Sequence, residues 1–98
     1  MKPGTKYDGD KARWDLVPFE ALEGMVHVLE FGAKKYGENN WKRLPKARAR
    51  YYAALQRHLL EFRLRRRKDP ESELEHLDHS LCCLLFLRWH TINKHGKK

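Results

Sequence analysis

The feature that most limits the possible fold is residues 81–89, LCCLLFLRW, in which Arg88 is the one polar residue. A helix that is apolar on every face must be covered on all sides. Two further helices cannot cover it completely in a chain of 98 residues, because so small a domain leaves much of its surface exposed. We therefore expect a small all-α bundle that is completed by homo-oligomerisation through residues 81–89, as a dimer or tetramer.

The apolar residues elsewhere recur at helical spacing and predict a single domain with three main helices. Helix one is predicted at residues 19–35, helix two at 47–66 and helix three from about 70 to 92. Residues 1–17 are polar and predict an N-terminal arm, and residues 93–98 predict a flexible tail. No alternating pattern is long enough for a strand.

Prolines and glycines mark the expected helix ends. Pro18 suits the first turn of helix one, and Gly37 suits its C-cap. Asp69 followed by Pro70 is typical of an N-cap and a first helical position, so helix three is expected to begin there.

The chain is strongly basic, with a net charge of +8. This charge favours a polyanionic partner: a nucleic acid, nucleotide phosphates or an acidic protein. No leader-peptide pattern opens the chain, and the longest apolar run is far shorter than the ~20 residues that cross a bilayer. We expect a cytoplasmic protein without a membrane partner.

Cys82 and Cys83 are adjacent, cannot form an unstrained disulfide and are interpreted as small buried apolar residues.

Side chains that can bind metals are concentrated between residues 58 and 79. They occur in pairs three residues apart, which places both members of a pair on the same face of a helix. The pairs are His58 with Glu61, Glu75 with Asp78, and His76 with His79. The two pairs of helix three point to different faces and cannot hold one ion together. Carboxylates suit Mg²⁺ or Mn²⁺, whereas the histidines suit Zn²⁺ with a third ligand, or contact with phosphate or base. We expect the pair of helix two to face the carboxylate pair of helix three; the alternative is an exposed acidic turn that balances the helix dipole.

Two further segments have two interpretations each. Helix one has a stripe of polar residues that includes Glu23, which is either a solvated face or one wall of a site. The sequence KKYGENNW contains lysines for phosphates, Tyr36 and Trp41 for stacking on a base, and Asn40 for a base edge. Its alternative is a loop that is pinned by its own aromatic residues.

Four blocks of the sequence, DGDKARWDLVPFEAL, FGAKKYGENNW, RHLLEF and DPESELEHLDHSLCCLLFL, together resemble a phage-encoded family of small dATP/dGTP diphosphohydrolases. These MazZ-like proteins are related to MazG-type all-α nucleotide pyrophosphohydrolases. The resemblance implies an oligomeric helical fold and hydrolysis of purine deoxynucleoside triphosphates to monophosphate and pyrophosphate. It also implies Mg²⁺ or Mn²⁺ held by acidic residues of neighbouring helices.

The resemblance, together with the motifs described above, suggests a role for each candidate residue. The metal ligands are expected to be Glu61, Glu75 and Asp78, with Glu71 and Glu23 as further candidates. His58 or His79 is expected to relay a proton or to contact phosphate. The substrate contacts are expected at Lys34, Lys35, Tyr36, Asn40, Trp41, Arg57 and His76.

This chain departs from the family pattern at two places. Arg65 and Arg66 stand where the pattern has Gly-Glu, and Glu73 stands where it has glycine. Two arginines in place of one acid are expected to weaken cation binding. The alternative function is therefore a non-catalytic basic helical module that binds nucleotide, nucleic acid or a host protein.

Overall fold

A computed structural model of the protein describes residues 3–93. Its helices are α1 (Glu23–Tyr36), α2 (Ala47–Arg63) and α3 (His76–Ile92), and no strand occurs within the described residues. The all-α class with three main helices is therefore confirmed. The predicted tail lies outside the described residues beyond Asn93.

Helix α1 begins at Glu23 rather than at residue 19, because the chain after Pro18 first forms the 3-10 turn Phe19–Ala21. The Ala21 N–H donates to the Pro18 carbonyl at 2.9 Å, which closes this tighter turn. The predicted cap at Gly37 is confirmed: its φ is 99°, and its N–H donates to a carbonyl of the last turn of α1.

Helix α2 ends at Arg63 rather than at residue 66, because Arg65 has a left-handed backbone with φ 65°. The Arg65 N–H donates to the Phe62 carbonyl at 3.0 Å, and the Arg66 N–H donates to the Glu61 carbonyl at 2.9 Å. This pair of bonds is a Schellman motif, whose left-handed position favours glycine. The glycine of the family pattern at this position thus has a backbone explanation.

Helix α3 begins at His76, so the prediction that it begins at Pro70 is wrong. Asp69 does accept backbone hydrogen bonds at its Oδ2, from the N–H groups of Glu71 and Ser72, each at 3.0 Å. These bonds cap a turn and not a helix, which is the other common use of an Asp-Pro pair.

Residues 64–75 form a loop that is closed at its base, and we call it the 64–75 loop. The Asp69 N–H donates to the Leu74 carbonyl, and the His76 N–H donates to the Arg67 carbonyl, both at 2.8 Å. Within the loop Glu73 has a left-handed backbone, φ 62°, which a continuous α-helix cannot contain. This conformation explains why helical structure is delayed until residue 76.

Helix α3 is the central element, because both α1 and α2 pack against it. The buried residues are Val28, Ala47, Leu55, His76, Ser80, Cys82 and Cys83. Both cysteines are unpaired and buried, as predicted. No helix within the described residues has the length and apolar character needed to cross a membrane.

One chain does not cover the apolar residues of α3 completely. Leu84 is 50% exposed, and Leu60 on α2 is 55% exposed. Exposed leucines on neighbouring helices are typical of a surface that a partner covers. The expected homo-oligomer stays a prediction.

Candidate functional site

A cleft of about 600 Å³ lies between α1 and α2. It is lined by α1, the loop after α1, α2, Glu71 of the 64–75 loop and α3. Its volume is within the range of about 300–1,000 Å³ found for small-molecule sites. Cys82 and Cys83 are buried yet line the cleft, so with Phe86 they form part of its apolar bottom.

The cleft brings together most of the candidate residues of the sequence. The candidates that line it are Lys35, Tyr36, Asn40, Trp41, Arg57, His58, Glu71 and His79. The candidates outside its lining are Glu23, Lys34, Glu61, Glu75, His76 and Asp78. Cations, aromatic rings and imidazoles around an apolar bottom suit an aromatic ligand that carries phosphate.

A lysine on α1 reaches the 64–75 loop. The Lys35 ammonium forms an ion pair with the Glu71 carboxylate. Its hydrogen bonds to Glu71 and Tyr36 raise the pKa of Lys35 above its usual range. The ammonium also lies 5.1 Å from the centre of the Tyr36 ring. A fixed positive charge therefore lies beside an aromatic ring that is 62% exposed.

Trp41 anchors the loop after α1. Its indole stacks on Phe86, with ring centres 4.3 Å apart and planes at 20°. Its carbonyl accepts a hydrogen bond from His90 Nε2 at 3.0 Å. The loop before it turns through Asn39, which has a left-handed backbone with φ 63°. These contacts agree with the alternative interpretation, a loop pinned by aromatic residues, and Phe86 covers one face of the indole.

Three histidines meet where α2 approaches the start of α3. His58 Nδ1 and His76 Nδ1 lie 2.8 Å apart, at hydrogen-bond distance. His58 also stacks on His79, with ring centres 4.5 Å apart and planes at 9°. Burial, reinforced by the neighbouring imidazoles, lowers the pKa of His58 to about 4, and burial also lowers the pKa of His79. Both rings are therefore neutral at neutral pH.

The 64–75 loop holds His79 and brings a carboxylate to the histidines. The Ser72 hydroxyl is hydrogen-bonded to His79 Nε2 at 2.7 Å. Donor atoms of His58, Asp69 and His76, one from each, all lie within 4.8 Å of one another. Among the described residues this is the one group of three or more His, Cys, Asp or Glu side chains that converge so closely.

The sequence does not predict a ligand role for Asp69, because an Asp-Pro pair is typical of a helix cap. The signal that reveals it is its place in the connection between two histidine-bearing helices. Burial raises the pKa of Asp69, but the backbone hydrogen bonds from Ser72 and Glu71 and the nearby imidazoles bring it below its usual range. Its carboxylate is therefore ionised at neutral pH.

The carboxylate pair of the sequence lies on another side of α3. The Asp78 side chain lies against Gly24 of α1, where a Cβ atom would overlap its carboxylate. Burial and the negative charge of Glu75 raise the pKa of Asp78. The expectation that His58 faces this pair across the gap is wrong, because the histidine face of α3 meets α2 instead.

The other acidic candidates lie beside basic side chains. Glu61 accepts from Arg66 Nη1 at 3.1 and 3.2 Å, and a Glu75 oxygen lies 3.8 Å from Arg67 Nε. Glu23 is exposed, and its Oε2 atom lies 3.7 Å from Nε2 of the exposed His27. This last contact agrees with the solvated-face interpretation of α1. The sequence candidates for metal ligands therefore do not converge in one place.

Comparison with known proteins gives two matches. A family model described as "dATP/dGTP diphosphohydrolase, N-terminal" matches residues 1–98. A protein of Salmonella phage PMBT28 named "dATP/dGTP diphosphohydrolase" is 35% identical over 86 residues, which cover 88% of this chain and 29% of that protein. The chain therefore spans less than a third of the length of that relative. No solved structure matches the chain.

Proposed function

The chain belongs to the family of dATP/dGTP diphosphohydrolase N-terminal domains, and we propose that it hydrolyses dATP and dGTP to monophosphate and pyrophosphate in the cleft between α1 and α2. The observation that carries this proposal is the composition of the cleft, where Lys35, Arg57 and two imidazoles surround an apolar bottom. Cations for phosphate, rings for a base and groups for proton transfer are the parts that this reaction needs.

Lys35 and Arg57 are proposed to bind the triphosphate. Both line the cleft, and the Lys35 charge is already held in place by Glu71. A phosphate oxygen offers the ammonium the same kind of charge-assisted hydrogen bond that Glu71 offers. Substrate would therefore compete with Glu71 for Lys35, which leaves the Glu71 carboxylate free in the bound state.

The purine is proposed to lie toward the loop after α1. Tyr36 is largely exposed and lines the cleft together with Asn40 and Trp41. The phenol ring can stack on a base, whereas the Trp41 indole already packs against Phe86 and has the Lys42 ammonium 5.4 Å from its ring centre. The Asn40 amide has both a donor and an acceptor for a purine edge.

The fold family implies a divalent cation, and the Glu75–Asp78 pair fits Mg²⁺ or Mn²⁺. The support is that Glu75 lies close enough to Asp78 to raise its pKa. Mg²⁺ usually needs only one or two protein carboxylates, since water and phosphate complete its shell. The pair does not line the cleft, so an ion held there would act on substrate only if the triphosphate extends beyond the cleft toward Asp78, where the ion would neutralise phosphate charge and lower the pKa of a bound water. Further candidate ligands are Glu23, Glu61 and Glu71.

The imidazoles are proposed to carry the proton. Water attacks phosphorus at the anhydride bond, and the attacking water must lose a proton as pyrophosphate leaves. His79 is neutral and is oriented by the Ser72 hydroxyl, so its ring is ready to accept that proton. His58 stacks on His79 and keeps the ring in this orientation.

The assembly is proposed to be a homodimer or homotetramer that covers the exposed leucines of α3 and α2. The proposed substrate is a purine deoxynucleotide, and we propose that the protein acts in the cytoplasm. The charge of +8 supports attraction of a polyanion.

A second candidate function is binding of a nucleotide without hydrolysis. It is favoured by the ion pairs of Glu61 with Arg66 and of Glu75 with Arg67, which place a cation beside two proposed metal ligands. The partial match to a much longer relative is also compatible with a binding domain.

The test is incubation of the protein with each deoxynucleoside triphosphate and Mg²⁺, followed by chromatographic measurement of monophosphate and pyrophosphate. The variant Asp78→Asn should abolish turnover, whereas Glu30→Gln, an exposed acid outside the cleft lining, should retain it. Turnover that survives Asp78→Asn together with Glu75→Gln would sink the metal assignment. A wild-type protein that binds dATP but never cleaves it would establish the second function instead.

A further inference from the structure

We propose that His58, Asp69 and His76 form a site for a divalent transition-metal ion such as Zn²⁺ or Co²⁺. The three ligands come from α2, the 64–75 loop and the first residue of α3. The proposal goes beyond the proposed hydrolysis and does not depend on it, because the Glu75–Asp78 pair is a different set of ligands.

The spacing of the donor atoms fits one ion. At bond lengths near 2.1 Å, two ligand atoms on Zn²⁺ lie about 3–3.5 Å apart. The two imidazole nitrogens are 2.8 Å apart, and all three donors are within 4.8 Å of one another. These two distances bracket the required separation, so small side-chain rotations bring all three onto one ion.

The protein does not satisfy the hydrogen bonds of this cluster by itself. His76 is only 3% exposed, and its Nε2 is buried without a partner among the described residues. This Nε2 is a different atom from the Nδ1 that lies 2.8 Å from His58, so it marks the place of a further polar partner such as a water rather than of the same ion. Between the Asp69 carboxylate and either ring no hydrogen bond is formed, although their donor atoms are close. An ion between them would join all three.

The surrounding contacts already orient the carboxylate. Asp69 Oδ2 accepts hydrogen bonds from two backbone N–H groups, which leaves Oδ1 for a ligand. The loop that carries Asp69 is tied to the start of α3 by the His76 N–H, which donates to the Arg67 carbonyl. On the other side His79 stacks on His58. Such outer contacts fix ligand direction and raise metal affinity.

The donor set selects the class of ion. Two imidazole nitrogens and one carboxylate oxygen suit Zn²⁺, Co²⁺, Fe²⁺ or Mn²⁺, whereas Mg²⁺ prefers oxygen alone. Three protein ligands leave at least one position of the ion for water or another small group. His58 also lines the cleft, so an ion held here lies at the edge of the cleft.

The test is titration of the chelator-treated full chain with Co²⁺ alone, followed by visible absorption and then displacement by Zn²⁺. No nucleotide is present, so the result is independent of the hydrolysis assay. The variants are His58→Gln, whose ring is only half-buried, and Asp69→Asn, which retains an oxygen for the two backbone N–H groups. His27→Gln removes an exposed histidine of α1 and is the matched control.

We expect one Co²⁺ per chain, unchanged binding in His27→Gln, and binding weakened by at least about tenfold in each of the other two variants. Circular dichroism establishes that each variant retains the wild-type helix content. The proposal is overturned if Co²⁺ binding does not saturate at one ion per chain in the Glu75→Gln, Asp78→Asn double variant, which lacks the carboxylates proposed for Mg²⁺ or Mn²⁺. It is equally overturned if folded His58→Gln and Asp69→Asn proteins bind Co²⁺ as tightly as the wild type does.

Discussion

Glycine at position 65 or 73 should stabilise the protein, because Arg65 and Glu73 both have a left-handed backbone, with φ of 65° and 62°. This conformation costs a residue with a Cβ atom about 1–2 kcal/mol. Glycine avoids that cost but loses about 0.5–1 kcal/mol more backbone entropy on folding. The free energy of unfolding should therefore rise by about 0.5–1 kcal/mol for each substitution. The two positions share no hydrogen bond, so the double variant should gain about 1–2 kcal/mol.

The assay is thermal and urea unfolding of Arg65→Gly, Glu73→Gly and the double variant, followed by circular dichroism. In a domain of this size 1 kcal/mol moves the melting temperature by about 4–8 °C, so the double variant should melt at least about 4 °C higher. Arg63→Gly is the control for glycine itself. It lies in the last turn of α2, where glycine should cost about 1 kcal/mol.

Arg65→Ala separates backbone conformation from charge, since it removes the guanidinium but retains a Cβ atom. Its unfolding midpoint should stay close to that of the wild type, because the left-handed conformation remains unfavourable. The reasoning is refuted if Arg65→Ala stabilises as much as Arg65→Gly does. It is also refuted if glycine at 65 and 73 destabilises the protein as glycine at 63 does.

The remaining predictions concern the cleft and its surroundings. Lys35→Met should raise KM for dATP at least about tenfold, the usual effect of losing a charged hydrogen bond, whereas Lys34→Met, outside the lining, should have little effect in the same assay. Gly32→Ala should stabilise α1 by up to about 1 kcal/mol, since its Cβ meets open space. Gly24→Ala should not stabilise the protein, because its Cβ overlaps a carboxylate of α3. Equal urea midpoints for the two variants would contradict this. Burial raises the pKa of Cys82 from 9.0 to about 12, so stability should decrease as pH rises from 9 toward 12, and a Cys82→Ala variant with the same decrease would exclude this cause.

The middle parts of α1 and α2 could be predicted from the sequence, because their apolar spacing is a local property. The start of α3 could not, since Asp69 followed by Pro70 is equally typical of a helix start and of a turn. The residue that decides between them is Glu73, whose left-handed backbone breaks the helix. Only the glycine expected there from the family pattern hinted at this conformation.

Part of the candidate site could also be predicted from local helical spacing, namely the two histidines of α3. The spacing of His76 and His79 places them on one face of a helix, and both do approach His58. Which face of α3 meets α2 could not be inferred, because α3 has apolar residues on every side and shows no preferred direction. Asp69 depends on the path of a loop, and loop paths are set by tertiary contacts that spacing does not encode.

The two cysteines at the bottom of the cleft determine how deeply any ligand can enter. The cysteines are small and apolar, whereas the charged and imidazole groups lie around the rim of the cleft. The depth of the cleft and its polar contacts therefore depend on different residues. A larger side chain at position 83 would make the cleft shallower and exclude bulky ligands without replacing Lys35 or Arg57 at its rim. Selectivity for ligand size can therefore evolve, or be engineered, on α3 alone.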